Sequence, residues 1–405
     1  MAAGIDTLLS ALAVRDRARM VLACGREGRL AHFRVRMDRL PATADYVTET
    51  IRRNYPDLAV PPHARWRHFV VGGTDRWASL AAQLSVDAAE RARIRFDLAV
   101  TSVLLDAGAG PDWYWRDATT GTRVGRSEGL ALASLEAFAQ GAFSSDPAQP
   151  LRADAVALQA VTSERLGVLF QVAPDNPLLG LDGRAALMRR LGRTMAGNGP
   201  VFGNPPRIGG LYDRLVESAS SGSIAAPRVL ELLLTALGPI WPGRLAIDGV
   251  ALGDTWRHPA IDVDGPTRGL IPFHKLSQWL AYSLLEPLQE SGLRVTDLDG
   301  LTGLAEYRNG GLFLDLGVIE PCAPGLLAGS FKPEDEPIVV WRALTVALLD
   351  EIAPLVRQRL GKTAAELPLA AILEGGTWSA GRRIARERRA DGSPPLNIAS
   401  DGSVF

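Results

Sequence analysis

Between Pro272 and Gly292 the chain commits to one kind of element, because Phe273, Leu276, Leu280, Leu284 and Leu288 recur at near-helical spacing. Apolar residues every three or four positions line one face of an α-helix, and that face must be buried against something. Pro272 suits the start of such a helix over 273–291 and Gly292 its end, with Pro287 placed to kink the last turn. Helical patterns recur over 7–24, 43–54, 127–140, 180–196, 207–220, 226–238, 300–317, 336–360 and 365–389, with one or two more helices in 77–105. Strand signals are few. Residues 30–36 alternate, and Trp113, Tyr114 and Trp115 turn through Thr120-Gly121 toward Thr122, Arg123 and Val124 like a hairpin. The expected class is mainly α with a minor β component.

A chain of 405 residues with 47% hydrophobic content can bury a large core. No stretch of about 18 uncharged apolar residues is present, so no membrane span is expected. Lys+Arg number 44 against 45 Asp+Glu, which leaves no excess charge for a nucleic-acid polymer. The basic run Arg382, Arg383, Arg386, Arg388 and Arg389 is interrupted by Glu387 and reads as a solvated helix face. Only Cys24 and Cys322 occur, and no secretory leader is legible, so a reducing, cytoplasmic setting is expected. The five histidines and two cysteines show no zinc-type spacing, and no phosphate loop of the G-x-x-x-x-G-K-[ST] type is present. Apolar segments continue on both sides of the Gly/Pro-rich stretch 197–210. It is therefore expected to be an internal loop of a single domain over 1–405, the best place for a boundary if one exists.

The densest chemistry lies in 292–319, where Asp297, Asp299, Glu306, Tyr307, Arg308 and Asp315 stand in an otherwise apolar stretch. Unpaired buried charges cost several kcal/mol, so ordinary buried helices avoid them. Asp297 and Asp299 precede the expected helix, where capping is the plain reading. Arg308 and Asp315 are seven apart and read as a partly buried ion pair. Asn309-Gly310-Gly311 inside a helix costs roughly 1 kcal/mol per glycine, so another helix or a ligand must come close there. His274 and Lys275 stand at a helix start, which is either surface or an anion site. The basic and aromatic residues of 62–69 can hold a phosphate or base, or brace the N-terminal region, and bracing is the better reading. Asp112, after a flexible loop, leads into Trp113 and Trp115, where a lid or a plain turn fits. Glu374-Gly375-Gly376-Thr377-Trp378 suggests either a crowded site or a tight helix contact.

Several segments resemble the uracil-catabolism family of the URC pathway in bacteria and fungi. They are HARWRHF (63–69), FDLAVTSVLLDAGAGPDWYW (96–115), RSEGLALAS (126–134), IPFHKLSQWLAYSLLEPL (271–288), LTGLAEYRNGGLFLDLGVI (301–319) and DGSVF (401–405). A more distant likeness is to the queuosine salvage glycosylases, which cut an N-glycosidic bond. Their acid, spacer and Asp-Tyr-Arg element resembles Asp297 through Glu306-Tyr307-Arg308. Their lysine-bearing helix resembles the one with Lys275, and their acid four before a tryptophan resembles Glu374 and Trp378. Glu306 replaces their Asp, and Ser379 replaces an acid after the Trp.

This likeness implies a helical body related to DNA glycosylases and an N-ribosyl hydrolase acting on a ring-opened uridine nucleotide such as a ribosylurea phosphate. It implies Asp297 as the carboxylate at C1′ and Glu374 as a second acid or ribose ligand. Lys275 and Arg308 would hold phosphate or position the acids. His274, Glu306, Tyr307, Asp112, Trp113, Trp115 and Trp378 would contact substrate, and no metal or other cofactor is required. A ureido amidohydrolase of the same pathway, or a non-catalytic partner of its cyclohydrolase-like enzyme, is the alternative.

Overall fold

The computed structural model describes residues 4–106, 108–241 and 245–399, so the DGSVF segment at 401–405 lies outside the described residues. Helices dominate and the strands are short pairs, a mainly α chain with minor β. Contacts divide the chain into two units with interleaved segments. One draws on residues 1–63, 244–278 and 297–400, the other on 64–243 and 279–296. The stretch 197–210 lies inside the second unit and carries the short helix Gly199–Phe202. Among the described residues no helix is long and apolar enough to cross a membrane.

In the first unit the helix Glu336–Leu360 is buried along most of its length, from Pro337 in its first turn to a left-handed Gly361 that ends it. A helix apolar all round belongs in a core. Here Ala11–Arg26, Leu40–Asn54 and Tyr307–Asp315 pack against it. Ala11–Arg26 starts later than its periodicity suggests because Ser10 is its N-cap, its side chain accepting from the Ala13 amide. The expected strand at 30–36 is Phe33–Val35, antiparallel to Ile319–Pro321.

Three expectations need correction in this unit. Pro272 does not open a helix. Leu270–Pro272 pairs antiparallel with Thr255–Arg257, and the helix Lys275–Glu290 begins after His274 turns the chain at φ 48°. The helix expected over 300–317 spans only Tyr307–Asp315, because Glu306 is extended and caps it, accepting from the amides of Arg308 and Asn309. Asp315 does not pair with Arg308. It receives two bonds, at 2.6 and 2.7 Å, from Arg389, while Arg308 donates at 2.8 Å to the Gly392 carbonyl.

In the second unit the helices Ala88–Leu104, Arg126–Ala139 and Leu181–Ala196 carry much of the core, including Phe96, Leu98, Leu132, Phe138 and Leu191. The expected hairpin forms as Tyr114–Arg116 against Arg123–Gly125. Arg65 is fully buried here. It donates to Ser102 Oγ and Asp106 at 2.7 Å, and the Trp66 indole N–H donates to the Ser283 carbonyl at 2.7 Å. These contacts brace the second unit from within.

Candidate functional site

The first unit gathers acids that lie far apart in sequence. Residues 365–389 do not form one regular helix. A short turn, Leu369–Ala371, passes into a π-helical segment, Ile372–Trp378, and then into Ser379–Arg388. Wide turns of this type occur often at functional positions. The two glycines are explained by packing. A Cβ on Gly375 would lie 2.7 Å from Val60 Cγ1, and one on Gly376 would lie 2.9 Å from Val47 Cγ1. Glycine therefore lets the widened segment lie directly on Leu40–Asn54 and the chain that follows it. The same segment presents Glu374, buried, with its carboxylate 2.6 Å from His63 Nδ1. His63 is fixed in turn by its amide, which donates to the Ala370 carbonyl at 2.9 Å.

Trp378 flanks this pair, its ring centroid 5.4 Å from that of His63, and the Arg382 guanidinium lies 4.7 Å from the Trp378 ring. Ser379, where the glycosylases carry an acid, donates at 2.7 Å to the Glu374 carbonyl and fixes the widened turn. Glu306 is also buried. Burial pushes its carboxyl above the ordinary range, against the opposing pull of two amide donors, Lys275 and His63. Four distant stretches thus contribute: the buried Glu374–His63 pair, the buried Glu306, and the half-buried Lys275, which with His63 acts on the Glu306 carboxyl.

Other expected site residues stand elsewhere or have other work. His274 is buried at the start of its helix. Its Nε2 meets the Leu8 carbonyl at 2.8 Å and burial lowers its pKa, so the neutral ring ties the N-terminal segment to the helix start. Arg308 is committed to the Gly392 carbonyl and stacks 5.0 Å from the half-buried Tyr307 ring. Asp112, Trp113 and Trp115 belong to the second unit. Asp112 is exposed, and Trp113 and Trp115 are buried, with the Trp113 indole N–H donated to the Phe170 carbonyl at 3.0 Å. Trp113 is thereby a core residue.

Asp297 is exposed, at a left-handed position with φ 50°, and its side chain makes no capping bond to the turn Leu298–Gly300 that follows. Its neighbour Asp299 is the structural acid, pairing with Arg357 at 2.5 Å and accepting from the Leu369 amide at 2.7 Å. Asn tolerates left-handed backbone at least as well as Asp. Asp297→Asn is therefore expected to leave both the thermal midpoint and turnover within about twofold of the parent, since surface changes of this kind are usually small. A loss of turnover beyond about 10² would return Asp297 to the site.

Sequence reasoning put His63 among bracing residues and missed it here. The signal was its place in the HARWRHF segment, two residues before the buried Arg65, but nothing local ties position 63 to position 374.

Comparison with known proteins places the chain in a defined group. A family model described as "Protein of unknown function (DUF1688)" matches residues 7–405. "Protein urg3" of Schizosaccharomyces pombe is 41% identical, over 99% of this chain and 99% of its own length. "Uracil catabolism protein 4" of Lachancea kluyveri is 38% identical, over 94% of this chain and 93% of its own.

Proposed function

The chain belongs to the DUF1688 family, and from that membership and its buried acids we propose that it acts in uracil breakdown as an N-ribosyl hydrolase. The substrate is a ring-opened uridine nucleotide, of which a ribosylurea 5-phosphate is the simplest. The observation that carries the reading is the pair of buried carboxylates, Glu374 held against His63, and Glu306, whose carboxyl is acted on by His63 and Lys275.

Cleavage of an N-glycoside passes through an oxocarbenium-like state. A carboxylate must face the positive charge growing at C1′, and the departing nitrogen must gain a proton. Glu374 supplies the carboxylate, oriented by its bond to His63. Glu306 supplies the proton, because burial favours its neutral form. In the balanced step the C1′–N bond breaks as Glu306 protonates the departing nitrogen, water oxygen adds to C1′, and the proton that water gives up replaces the one Glu306 donated, leaving urea and ribose 5-phosphate. The Lys275 charge opposes part of the rise that burial causes in Glu306, and Trp378 flanks His63.

Incubating the protein with ribosylurea 5-phosphate and assaying urea and ribose 5-phosphate together tests the reading. Equal release of the two is expected. Release of ammonia with the ribosyl bond intact would instead mark a ureido amidohydrolase, and no change in the substrate would mark a non-catalytic role.

The pH profile carries a further expectation. A carboxylic acid with a raised pKa stays protonated to higher pH and is lost as pH climbs through that value. Turnover should therefore fall on the alkaline side as Glu306 ionises. In Glu306→Gln that limb should vanish along with most of the rate. An alkaline limb unchanged in the variant would assign the proton to another group.

A further inference from the structure

Arg342 and Asp254 form a paired contact, and each also bonds backbone at or beside a site residue. The Arg342 side chain is 1% exposed, in the middle of the buried helix Glu336–Leu360. Its two Nη atoms meet the two Asp254 oxygens at 2.8 and 2.7 Å. Its Nε donates at 3.3 Å to the carbonyl of Ala305, the residue before Glu306. Asp254 Oδ2 accepts at 3.1 Å from the amide of Lys275, and its backbone carbonyl accepts at 2.8 Å from Phe273. Phe273 also lies under the guanidinium, 4.3 Å from its ring centroid. A second tie runs parallel, for Gln278 on the first turn after Lys275 accepts at 2.9 Å from the Thr302 amide.

The plain alternative is a buried ion pair that serves the core alone. Such pairs are a poor source of stability, because desolvating two charges offsets most of their attraction, and apolar replacements are often as stable. Asp254 Oδ1 also accepts from the Trp256 indole N–H at 2.6 Å, but a pair that bonds the amide of Lys275 and the carbonyl next to Glu306 has a more specific use. Its bonds to the Lys275 amide and the Ala305 carbonyl fix where Lys275 starts its helix and where Glu306 ends its extended segment.

We propose that Asp254 and Arg342 are positioning residues that set the distance between Lys275 and Glu306. The inference rests on the reading of those two residues as part of the site. It does not require that the reaction be ribosyl hydrolysis.

The test is the titration of the Glu306 carboxyl in ligand-free protein, followed by carbon-13 NMR and assigned with Glu306→Gln. Arg342→Lys keeps the charge but cannot reach both Asp254 oxygens and the Ala305 carbonyl. Loosening the Lys275 contact should move the Glu306 midpoint upward, as Lys275→Met does. Added to Lys275→Met, the Arg342 change should then produce little further shift, the non-additivity expected of residues acting through one another. A midpoint that stays at the parent value in Arg342→Lys overturns the proposal. So does a shift of the same size in both backgrounds, which would mark a general loosening. Should Arg342→Lys fail to fold, Asp254→Asn carries the same cycle, its direct charge effect cancelling between backgrounds. Turnover of ribosylurea 5-phosphate by the parent is measured alongside. Absence of turnover with the NMR coupling intact would remove the hydrolase reading and leave the positioning pair. Turnover without the coupling would do the reverse.

Discussion

Glu374→Gln is expected to fold as the parent does and to lose about 10²–10⁴-fold in turnover. Glutamine keeps the shape of glutamate and keeps a carbonyl oxygen that can face His63 Nδ1, now 2.6 Å from the carboxylate. The Ser379 bond goes to the backbone carbonyl of Glu374, so the π-helical turn is untouched. What disappears is negative charge in a buried setting, where it acts on a growing cation far more strongly than in water. A purely structural Glu374 gives the opposite pattern. The buried His63 would lose its charged partner, the melt would fall by an amount typical of a broken buried pair, about 3–5 kcal/mol, and turnover per folded molecule would hold. Thermal melts and single-turnover rates on the same preparations separate the two. Parent-like turnover in the variant would remove Glu374 from the chemistry.

The largest loss of stability is expected from Gly381→Ala. A Cβ at position 381 would lie 2.1 Å from the Arg308 carbonyl oxygen and 2.8 Å from its carbon, both backbone atoms of the facing helix. No rotamer relieves that contact, so Ser379–Arg388 and Tyr307–Asp315 must separate. Overpacking costs about 1–3 kcal/mol where side chains can yield, and more where only backbone can. A loss above about 3 kcal/mol in urea unfolding is expected. The same displacement moves the amides of Arg308 and Asn309 that Glu306 bonds, so turnover should fall with the melt. Gly311→Ala is the control. Its Cβ would meet only Pro395 Cδ at 3.1 Å, a ring that can give by a few tenths of an ångström. Equal melts for the two alanine variants would show that the helices yield at position 381.

The residues around Glu306 show why a site is only partly legible in a sequence. Charged residues inside the apolar run 292–319 marked a segment where charge is buried, because burying it demands a reason. Which acid is the buried one was not legible. Asp297 and Glu306 are equally acidic on paper, yet one stands exposed on a left-handed turn and the other caps a buried helix. Arg308 and Asp315 have the spacing of a pair but find Gly392 and Arg389 instead, because the chain returns past that helix after residue 388. Sequence spacing reports neighbours along one element and cannot report what packs against it.

Helical class, the hairpin at 114–125 and the long helix 336–360 were determined by local pattern alone. Periodicity, turn residues and caps act within a few residues of themselves, so the chain carries that information directly. The π-helical widening at 372–378, the meeting of His63 with Glu374 and the Arg342–Asp254 contact were decided only by the tertiary structure. The two contacts join residues 311 and 88 positions apart, and burial, not local preference, brings them together. Burial likewise raises the Glu306 carboxyl, a property that depends on removing water and that the residue does not have in the unfolded chain.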